Sequence, residues 1–190
     1  MIAIVDYGVG NLRSVQKALE HVGVETVVTE DKDTIRHADG VILPGVGAFG
    51  DAMDTLRAKG LDLVIREVTE RGIPLMGICL GMQLLFEESE EMGPHQGLGV
   101  LPGRVVRFGS ALKVPHVGWN QIKLKKESAL LEGIRDGDFA YFVHSYYVVP
   151  THDDAVLATT DYDVEFASVV GYKHLFGIQF HPEKSQDIGL

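Results

Sequence analysis

Residues 73–88 constrain the fold of this chain more than any other stretch. The apolar run at residues 73–78 predicts a short buried strand. An apolar stripe at helical spacing follows at Leu80, Leu84 and Leu85. Only Cys79 separates the two patterns, so the chain must pass from strand to helix through a sharp turn at this residue.

The turn at Cys79 is flanked by Gly77 and Gly81, which is the spacing of a nucleophile elbow with cysteine in place of serine. Such a turn strains the backbone at the nucleophile, and glycines on either side remove the Cβ atoms that would clash. The helix N-terminus favours a thiolate and places the Leu80 N–H to stabilise an oxyanion. We therefore predict that Cys79 is a nucleophile, although the pattern alone also fits a buried structural cysteine.

A second chemical pattern follows the last apolar strand, where the chain reads His181-Pro182-Glu183. Residues two apart in extended backbone point the same way, and proline restricts the chain between them. A cysteine nucleophile needs a base, and the base needs a group that orients it. We predict a catalytic triad of Cys79, His181 and Glu183, whereas an isolated His-Pro-Glu would more often be a surface turn.

Strands alternate with helices in the first half, which predicts a doubly wound, flavodoxin-like α/β fold with a largely parallel sheet and helices on both faces. The charged run at 87–91 predicts a solvated surface. After Gly97 the pattern is mainly strands, including one long run at 139–149, and we expect these to extend the sheet with antiparallel strands. We treat residues 1–190 as a single domain. The loops at the carboxyl ends of the parallel strands, the usual place for a site, follow Val5, Leu43 and Ile78.

Composition excludes several classes of function. A net charge of −10 argues against nucleic acid or an anionic membrane as the main partner. The single cysteine allows no internal disulfide and predicts a reducing, cytoplasmic compartment. The chain has no metal-binding Cys-x-x-Cys or His-Glu-x-x-His, and Arg13 replaces the third glycine of a dinucleotide fingerprint that starts at Gly8. We expect neither a metal nor a cofactor.

The motifs at 77–83 and 181–185 resemble the triad class of glutamine amidotransferases. Four further stretches resemble, in order and spacing across the whole chain, the family of glutaminase subunits of imidazole glycerol-phosphate synthases. These stretches are residues 6–12, 44–49, 116–120 and 141–146.

This resemblance implies a reaction in histidine biosynthesis. Cys79 would attack the side-chain amide of L-glutamine, giving a glutamyl thioester and ammonia, and water would then release glutamate. The ammonia would pass to a (β/α)8-barrel cyclase subunit, which forms imidazole glycerol phosphate and aminoimidazole carboxamide ribonucleotide. The resemblance also implies a one-to-one heterodimer of the two subunits.

The resemblance further implies roles for individual residues. The oxyanion donors would be the N–H groups of Val46 and Leu80. Three residues would face the cyclase: Asn11, Trp119 and Lys184. Four residues would hold glutamine: Gly45, Gln83, Ser145 and Tyr146.

Two alternative functions remain open at the level of sequence. One is the glutaminase subunit of another synthase, such as pyridoxal phosphate synthase, and the Val-Gly-Trp-Asn motif at 117–120 argues against it. The other is a non-catalytic flavodoxin-like binding module, and the Cys–His–Glu set argues against that. Glutamine hydrolysis measured with and without the cyclase would distinguish all three.

Overall fold

The computed structural model describes residues 1–190. Its first half alternates strands and helices, as the sequence pattern predicts. The elements are β1 (Ile2–Val5), α1 (Leu12–His21), β2 (Thr26–Thr29), α2 (Lys32–Arg36), β3 (Gly40–Gly45), α3 (Phe49–Lys59), α4 (Leu61–Glu70), β4 (Leu75–Cys79) and α5 (Leu80–Leu84). None of the helices is long and apolar enough to cross a membrane.

The second half consists mainly of strands joined by short 3₁₀ turns. The strands are β5 (Glu88–Ser89), β6 (His95–Gln96), β7 (Gly103–Arg107), β8 (His116–Gln121), β9 (Lys123–Leu124), β10 (Phe139–His144), β11 (Tyr146–Pro150), β12 (Val156–Tyr162), β13 (Val164–Tyr172) and β14 (Leu175–Ile178). The 3₁₀ turns are Ala129–Leu131, Asp153–Ala155, Pro182–Lys184 and Gln186–Gly189.

The main sheet has eight strands in the order β2-β1-β3-β4-β14-β13-β12-β9. Strands β2, β1, β3, β4 and β14 are parallel, and β13, β12 and β9 continue the sheet in antiparallel fashion. Strand order 2-1-3-4 places β4 inside the sheet, so its carboxyl end opens into the crevice where α/β proteins bind ligands. The predicted α/β class and its antiparallel extension are confirmed.

Two apolar cores lie against the sheet, because successive strand residues point to opposite faces. Ala3 and Val5 belong to the core that α3 and α4 cover, whereas Ile4 belongs to the core that includes Val15 of α1. Helices therefore pack on both faces, as a doubly wound fold requires.

The long strand predicted at 139–149 is wrong. The chain bends at Ser145, and its two parts join different small sheets: β10 pairs with β8, and β11 pairs with β7. The Ser145 carbonyl instead accepts a hydrogen bond from the Phe108 N–H at 3.1 Å. Apolar residues continue through the bend, so the hydrophobic pattern alone does not reveal it.

The charged run at 87–91 is not simply a solvated surface. The carboxylates of Glu87, Glu90 and Glu91 accept hydrogen bonds from backbone N–H groups at 2.9, 2.9 and 2.7 Å. The donor to Glu91 is Phe49, the first residue of α3, whose N-cap Ala48 has no side-chain acceptor. Glu91 therefore takes over the capping role and places negative charge at a helix N-terminus, where it is stabilising.

Candidate active site

The backbone at Cys79 adopts φ 54° and ψ −113°, in the strained region predicted for a nucleophile elbow. Strand β4 ends at this residue and α5 begins at the next one. The neighbouring strand β3 pairs Gly45 with Cys79, so the loop that follows β3 lies beside the sulfur. The thiol side chain is buried, with 6% of the residue exposed.

The two glycines of the elbow are required by close contacts. A Cβ added to Gly77 would lie 2.6 Å from the carbonyl carbon of Gly81, and one added to Gly81 would lie 1.8 Å from the Leu43 carbonyl oxygen. Neither backbone contact can yield without moving a strand of the sheet. The spacing of the motif therefore has a steric cause.

We expect Gly81→Ala to lower the free energy of unfolding by about 3 kcal/mol or more, because the new methyl group would overlap the Leu43 carbonyl. Denaturant titration measures the loss. The matched control is Gly72→Ala, at a positive-φ glycine after α4 where a Cβ meets nothing within 4 Å. Equal losses for the two variants would contradict a steric cause at Gly81.

His181 and Glu183 lie beside the elbow. His181 Nδ1 is 2.9 Å from Glu183 Oε1, and both side chains are almost fully buried. The second ring nitrogen, Nε2, is buried without a hydrogen-bond partner, and the His181 and Cys79 residues line the same pocket. The structure thus brings the predicted triad together, with Glu183 behind the ring and no hydrogen bond closed to the sulfur.

The electrostatics of the pair favour a charged ring. Burial lowers the pKa of His181, but interactions with Cys79 and Glu183 outweigh it and raise the pKa to about 9. Burial raises the pKa of Glu183, but its hydrogen bond to His181 outweighs this and the net shift is downward. An imidazolium next to the sulfur stabilises a thiolate nucleophile.

These shifts predict that the free energy of unfolding decreases as the pH rises from about 6.5 to about 9. The native state keeps a proton on His181 up to a pKa of about 9, whereas an ordinary histidine releases it near 6.5. One retained proton gives a slope of at most about 1.4 kcal/mol per pH unit, and a proton that Cys79 gives up to form the native ion pair reduces it. Denaturant titrations across this range should show the slope in the parent and in the exposed control His152→Asn. A His181→Asn variant with the same slope as the parent would contradict the prediction.

A pocket of about 380 Å³ opens beside the thiol, and most of the residues predicted for the site line it. Its predicted members are Val46, Cys79, Leu80, Gln83, Ser145, Tyr146, His181 and Lys184. Gly45, also predicted to hold glutamine, is not among the lining residues; it pairs with Cys79 in the sheet, and a Cβ there would be 2.7 Å from the Tyr7 hydroxyl and 2.9 Å from the Gly81 nitrogen.

Of the three residues predicted to face a partner, Lys184 lines the pocket beside the thiol, whereas Asn11 and Trp119 do not. Trp119 is exposed on β8, and its ring meets Tyr141 at 5.9 Å between centroids. Lys184 Nζ also lies over the Tyr141 ring, 5.9 Å from its centre. Asn11 precedes α1 and accepts a hydrogen bond from the Ser14 hydroxyl at 2.8 Å.

Sequence reasoning missed two residues of the site. Glu91 lines the pocket, and its carboxylate is the one acidic group among the lining residues. Tyr7 is fully buried and donates its hydroxyl to the Pro44 carbonyl at 2.8 Å, which holds the start of the loop at 44–47. No sequence pattern links Glu91 to α3, because Glu91 and Phe49 lie 42 residues apart. Tyr7 lies in the loop directly after β1, one of the loops predicted to surround the site.

Two buried histidines form the wall behind the pocket. His144 Nδ1 is 2.8 Å from the Tyr146 carbonyl, and its Nε2 is 3.1 Å from His116 Nδ1. Burial lowers the pKa of His116 to about 4 and that of His144 to about 3. Both rings are therefore neutral near pH 7; His144 supports the Tyr146 backbone directly, and His116 supports it through His144.

Comparison with solved structures supports the fold. A protein described as "Crystal structure of glutamine amidotransferase" superposes with a TM-score of 0.79 at 22% identity, covering 100% of this chain and 94% of that chain. PurLQS from Thermotoga maritima superposes with a TM-score of 0.77 at 24% identity, covering 99% and 91%. At these identities the likeness establishes the fold.

Comparison of sequences establishes the family. The glutamine amidotransferase class-I family matches residues 3–188. The imidazole glycerol phosphate synthase subunit HisH of Moorella thermoacetica is 57% identical, over 100% of this chain and 90% of the relative. HisH of Aquifex aeolicus is 55% identical, over 98% and 91%, and HisH of Bacillus subtilis is 53% identical over 196 aligned residues. The chain therefore belongs to the class-I glutamine amidotransferases and, within them, to the HisH subunits of imidazole glycerol phosphate synthase.

Proposed function

We propose that this chain hydrolyses L-glutamine through Cys79, His181 and Glu183 and passes the ammonia to a cyclase subunit. The observation that carries the proposal is the strained elbow cysteine, which shares one pocket with a histidine held at 2.9 Å by a buried glutamate. The relatives named above are subunits of imidazole glycerol phosphate synthase, which supports histidine biosynthesis as the setting.

The first half of the reaction forms a thioester. The Cys79 sulfur attacks the amide carbon of glutamine, and the carbonyl oxygen becomes an oxyanion. The His181 ring donates its proton to the amide nitrogen, the C–N bond breaks, and ammonia leaves. Glu183 keeps the ring oriented and stabilises its positive charge before the transfer.

The second half releases glutamate. His181, now neutral, takes a proton from water as the water oxygen attacks the thioester carbon. The tetrahedral intermediate collapses, the C–S bond breaks, and the thiolate and imidazolium are restored. In both halves the oxyanion donors are the N–H groups of Leu80, at the start of α5, and of Val46.

The pocket suits free glutamine. Gln83, Ser145 and Tyr146 line it, and Gly45 lets β3 pack closely against Tyr7 and the elbow. The carboxylate of Glu91 complements an α-ammonium group, which a glutamine residue inside a peptide would lack. We therefore propose the free amino acid as the substrate.

The test is glutamate release from glutamine by the chain, with and without the cyclase subunit and its nucleotide substrate. Hydrolysis coupled to imidazole glycerol phosphate formation is expected. Hydrolysis that feeds a pyridoxal phosphate synthase instead would favour the alternative glutaminase, and no hydrolysis in either setting would favour a binding module.

The partner surface is proposed on the two-stranded sheet of β8 and β10. Its outer face exposes Val117, Trp119 and Phe139, which are 56%, 46% and 52% exposed. Large apolar side chains exposed together are typical of a protein interface. Together with Lys184 and Asn11 they form the surface that we propose docks a (β/α)8-barrel cyclase as a one-to-one heterodimer.

Trp119→Ala and Lys184→Ala are each expected to weaken binding of the cyclase about tenfold or more, because buried aromatic and cationic anchors dominate interfaces. Titration calorimetry with the purified cyclase measures the effect. Leu63→Ala, which removes another exposed apolar side chain on α4, is the control. Unchanged affinity for the cyclase in both variants would show that the interface lies elsewhere on the surface.

We further propose that residues 1–190 act as one glutamine amidotransferase domain in the cytoplasm, where a lone thiol stays reduced. The proposed chemistry uses no metal or cofactor, since the triad supplies nucleophile, acid and base. The net charge of −10 favours neither nucleic acid nor an anionic membrane as a partner.

A further inference from the structure

The Gln179 side chain lies between Cys79 and Gln83 and contacts both of them. Gln179 follows β14 by one residue, is completely buried, and precedes His181 by two positions. Its backbone N–H donates to the Ser168 carbonyl at 2.9 Å, which ties the residue to β13. A buried amide at this position must satisfy its side-chain hydrogen bonds within the protein.

The Gln179 side chain makes two hydrogen bonds. Its Nε2 donates to the Cys79 sulfur at 3.7 Å, and its Oε1 accepts from Gln83 Nε2 at 3.0 Å. Gln83 Nε2 also donates to the Tyr146 carbonyl at 3.0 Å. One continuous chain of hydrogen bonds thus joins the sulfur to the backbone at Tyr146.

The donor inventory fixes the direction of this chain. The Tyr146 carbonyl accepts only, so Gln83 must present its NH₂ group there, and the same group supplies the donor to Gln179. Gln179 therefore turns its oxygen toward Gln83 and its NH₂ group toward the sulfur. The Gln83 oxygen remains as an acceptor for a donor group of the substrate.

We propose that Gln179 is a positioning residue that donates a hydrogen bond to the Cys79 thiolate and, together with the Tyr146 carbonyl, holds the NH₂ group of Gln83 in place. An N–H donor favours the charged form of the sulfur, and hydrogen bonds to charged groups are stronger than neutral ones. The Gln179 oxygen and the Tyr146 carbonyl both accept from the Gln83 NH₂ group, which leaves the Gln83 oxygen for glutamine. This inference rests on the proposed function for its second part only, because the contact with the sulfur exists without substrate.

Alkylation of Cys79 by iodoacetamide tests the first part, because the chain has no other cysteine. Gln179→Met keeps a similar volume but removes the donor and the acceptor. Its alkylation rate at pH 7 is expected to fall about tenfold, and the half-maximal rate should move to higher pH. His181 and Tyr7, the titratable groups that interact with Cys79, are unchanged in this variant.

The KM for glutamine in Gln179→Glu and Gln179→Met, compared with each other, tests the second part. Gln179→Glu keeps an acceptor for Gln83 but replaces the NH₂ donor, so kcat for glutamine should fall about tenfold while KM stays near that of the parent. Gln179→Met should lower kcat and also raise KM severalfold, since Gln83 loses a partner. Gln16→Met, on α1, is the matched control and should behave as the parent.

Thermal unfolding of each variant shows whether a lower rate comes from a destabilised fold or from the lost hydrogen bonds of Gln179. An unchanged alkylation profile in a folded Gln179→Met variant would overturn the inference, as would a Gln179→Glu variant with the kcat of the parent. If the parent does not hydrolyse glutamine at all, the proposed function fails, yet the alkylation profiles still decide whether Gln179 acts on the sulfur.

Discussion

Cys79→Ala is expected to lower the rate of imidazole glycerol phosphate formation from glutamine by a factor of roughly 10⁴ or more. Product formation from added ammonia should be retained. Only the thiol can form the thioester, and no other cysteine is present to replace it. The cyclase needs ammonia alone, so its own chemistry is untouched by the substitution. The variant therefore separates the production of ammonia from its use.

The measurement is product formation by the complex with glutamine or with an ammonium salt. Because the substitution removes only the sulfur atom and keeps the Cβ, the alanine variant is expected to fold, and its unfolding curve should show this. Cys79→Ser is the matched variant, which keeps a hydroxyl but lacks the reactivity of a thiolate. Glutamine-dependent turnover retained in the alanine variant would refute the assignment of the nucleophile.

The sequence predicted the parts of the site whose geometry is local. The elbow depends on residues 77–81 alone, and His181 and Glu183 lie two positions apart. The spacing within each segment was therefore enough to predict its local geometry. That the two segments meet follows from topology: β14 is inserted beside β4 in parallel, which brings the end of one strand next to the end of the other. A parallel sheet with its site at the carboxyl ends made this arrangement predictable.

The features that the sequence did not predict depend on contacts between distant segments. The bend at Ser145 reflects a change of sheet partner, which leaves no break in the apolar pattern. Glu91 binds the first N–H of α3, which lies 42 residues away in sequence. The role of Gln179 depends on amide orientations set by Gln83 and Tyr146, which no periodicity encodes.

The loop between β3 and α3 is fixed at both ends. Tyr7 holds the Pro44 carbonyl, and Glu91 holds the Phe49 N–H. Between these anchors Val46 is 40% exposed, and a Cβ on Gly47 would meet nothing within 4 Å. The backbone at Val46, which is flanked by Gly45 and Gly47, is therefore the part of the site that can turn over with little steric cost.

We predict that this peptide gates the glutaminase. An oxyanion needs two N–H donors, and we propose Leu80 for the first and Val46 for the second. With the peptide turned over, a carbonyl faces the developing negative charge, and loss of one donor costs roughly 10²–10³ in rate. A structure without cyclase ligand is expected to show the Val46 N–H directed away from Cys79.

The isolated chain should accordingly hydrolyse glutamine roughly 10²–10³ times more slowly than the complex loaded with cyclase substrate. Gly47→Ala should alter this ratio, because Gly47 has φ +96°, which disfavours alanine and shifts the balance between the two peptide orientations. Gly72→Ala, at another open positive-φ glycine far from the thiol, should leave the ratio unchanged. Full-rate hydrolysis by the isolated chain would show that the loop does not gate the reaction, because the oxyanion site would then be complete without the partner.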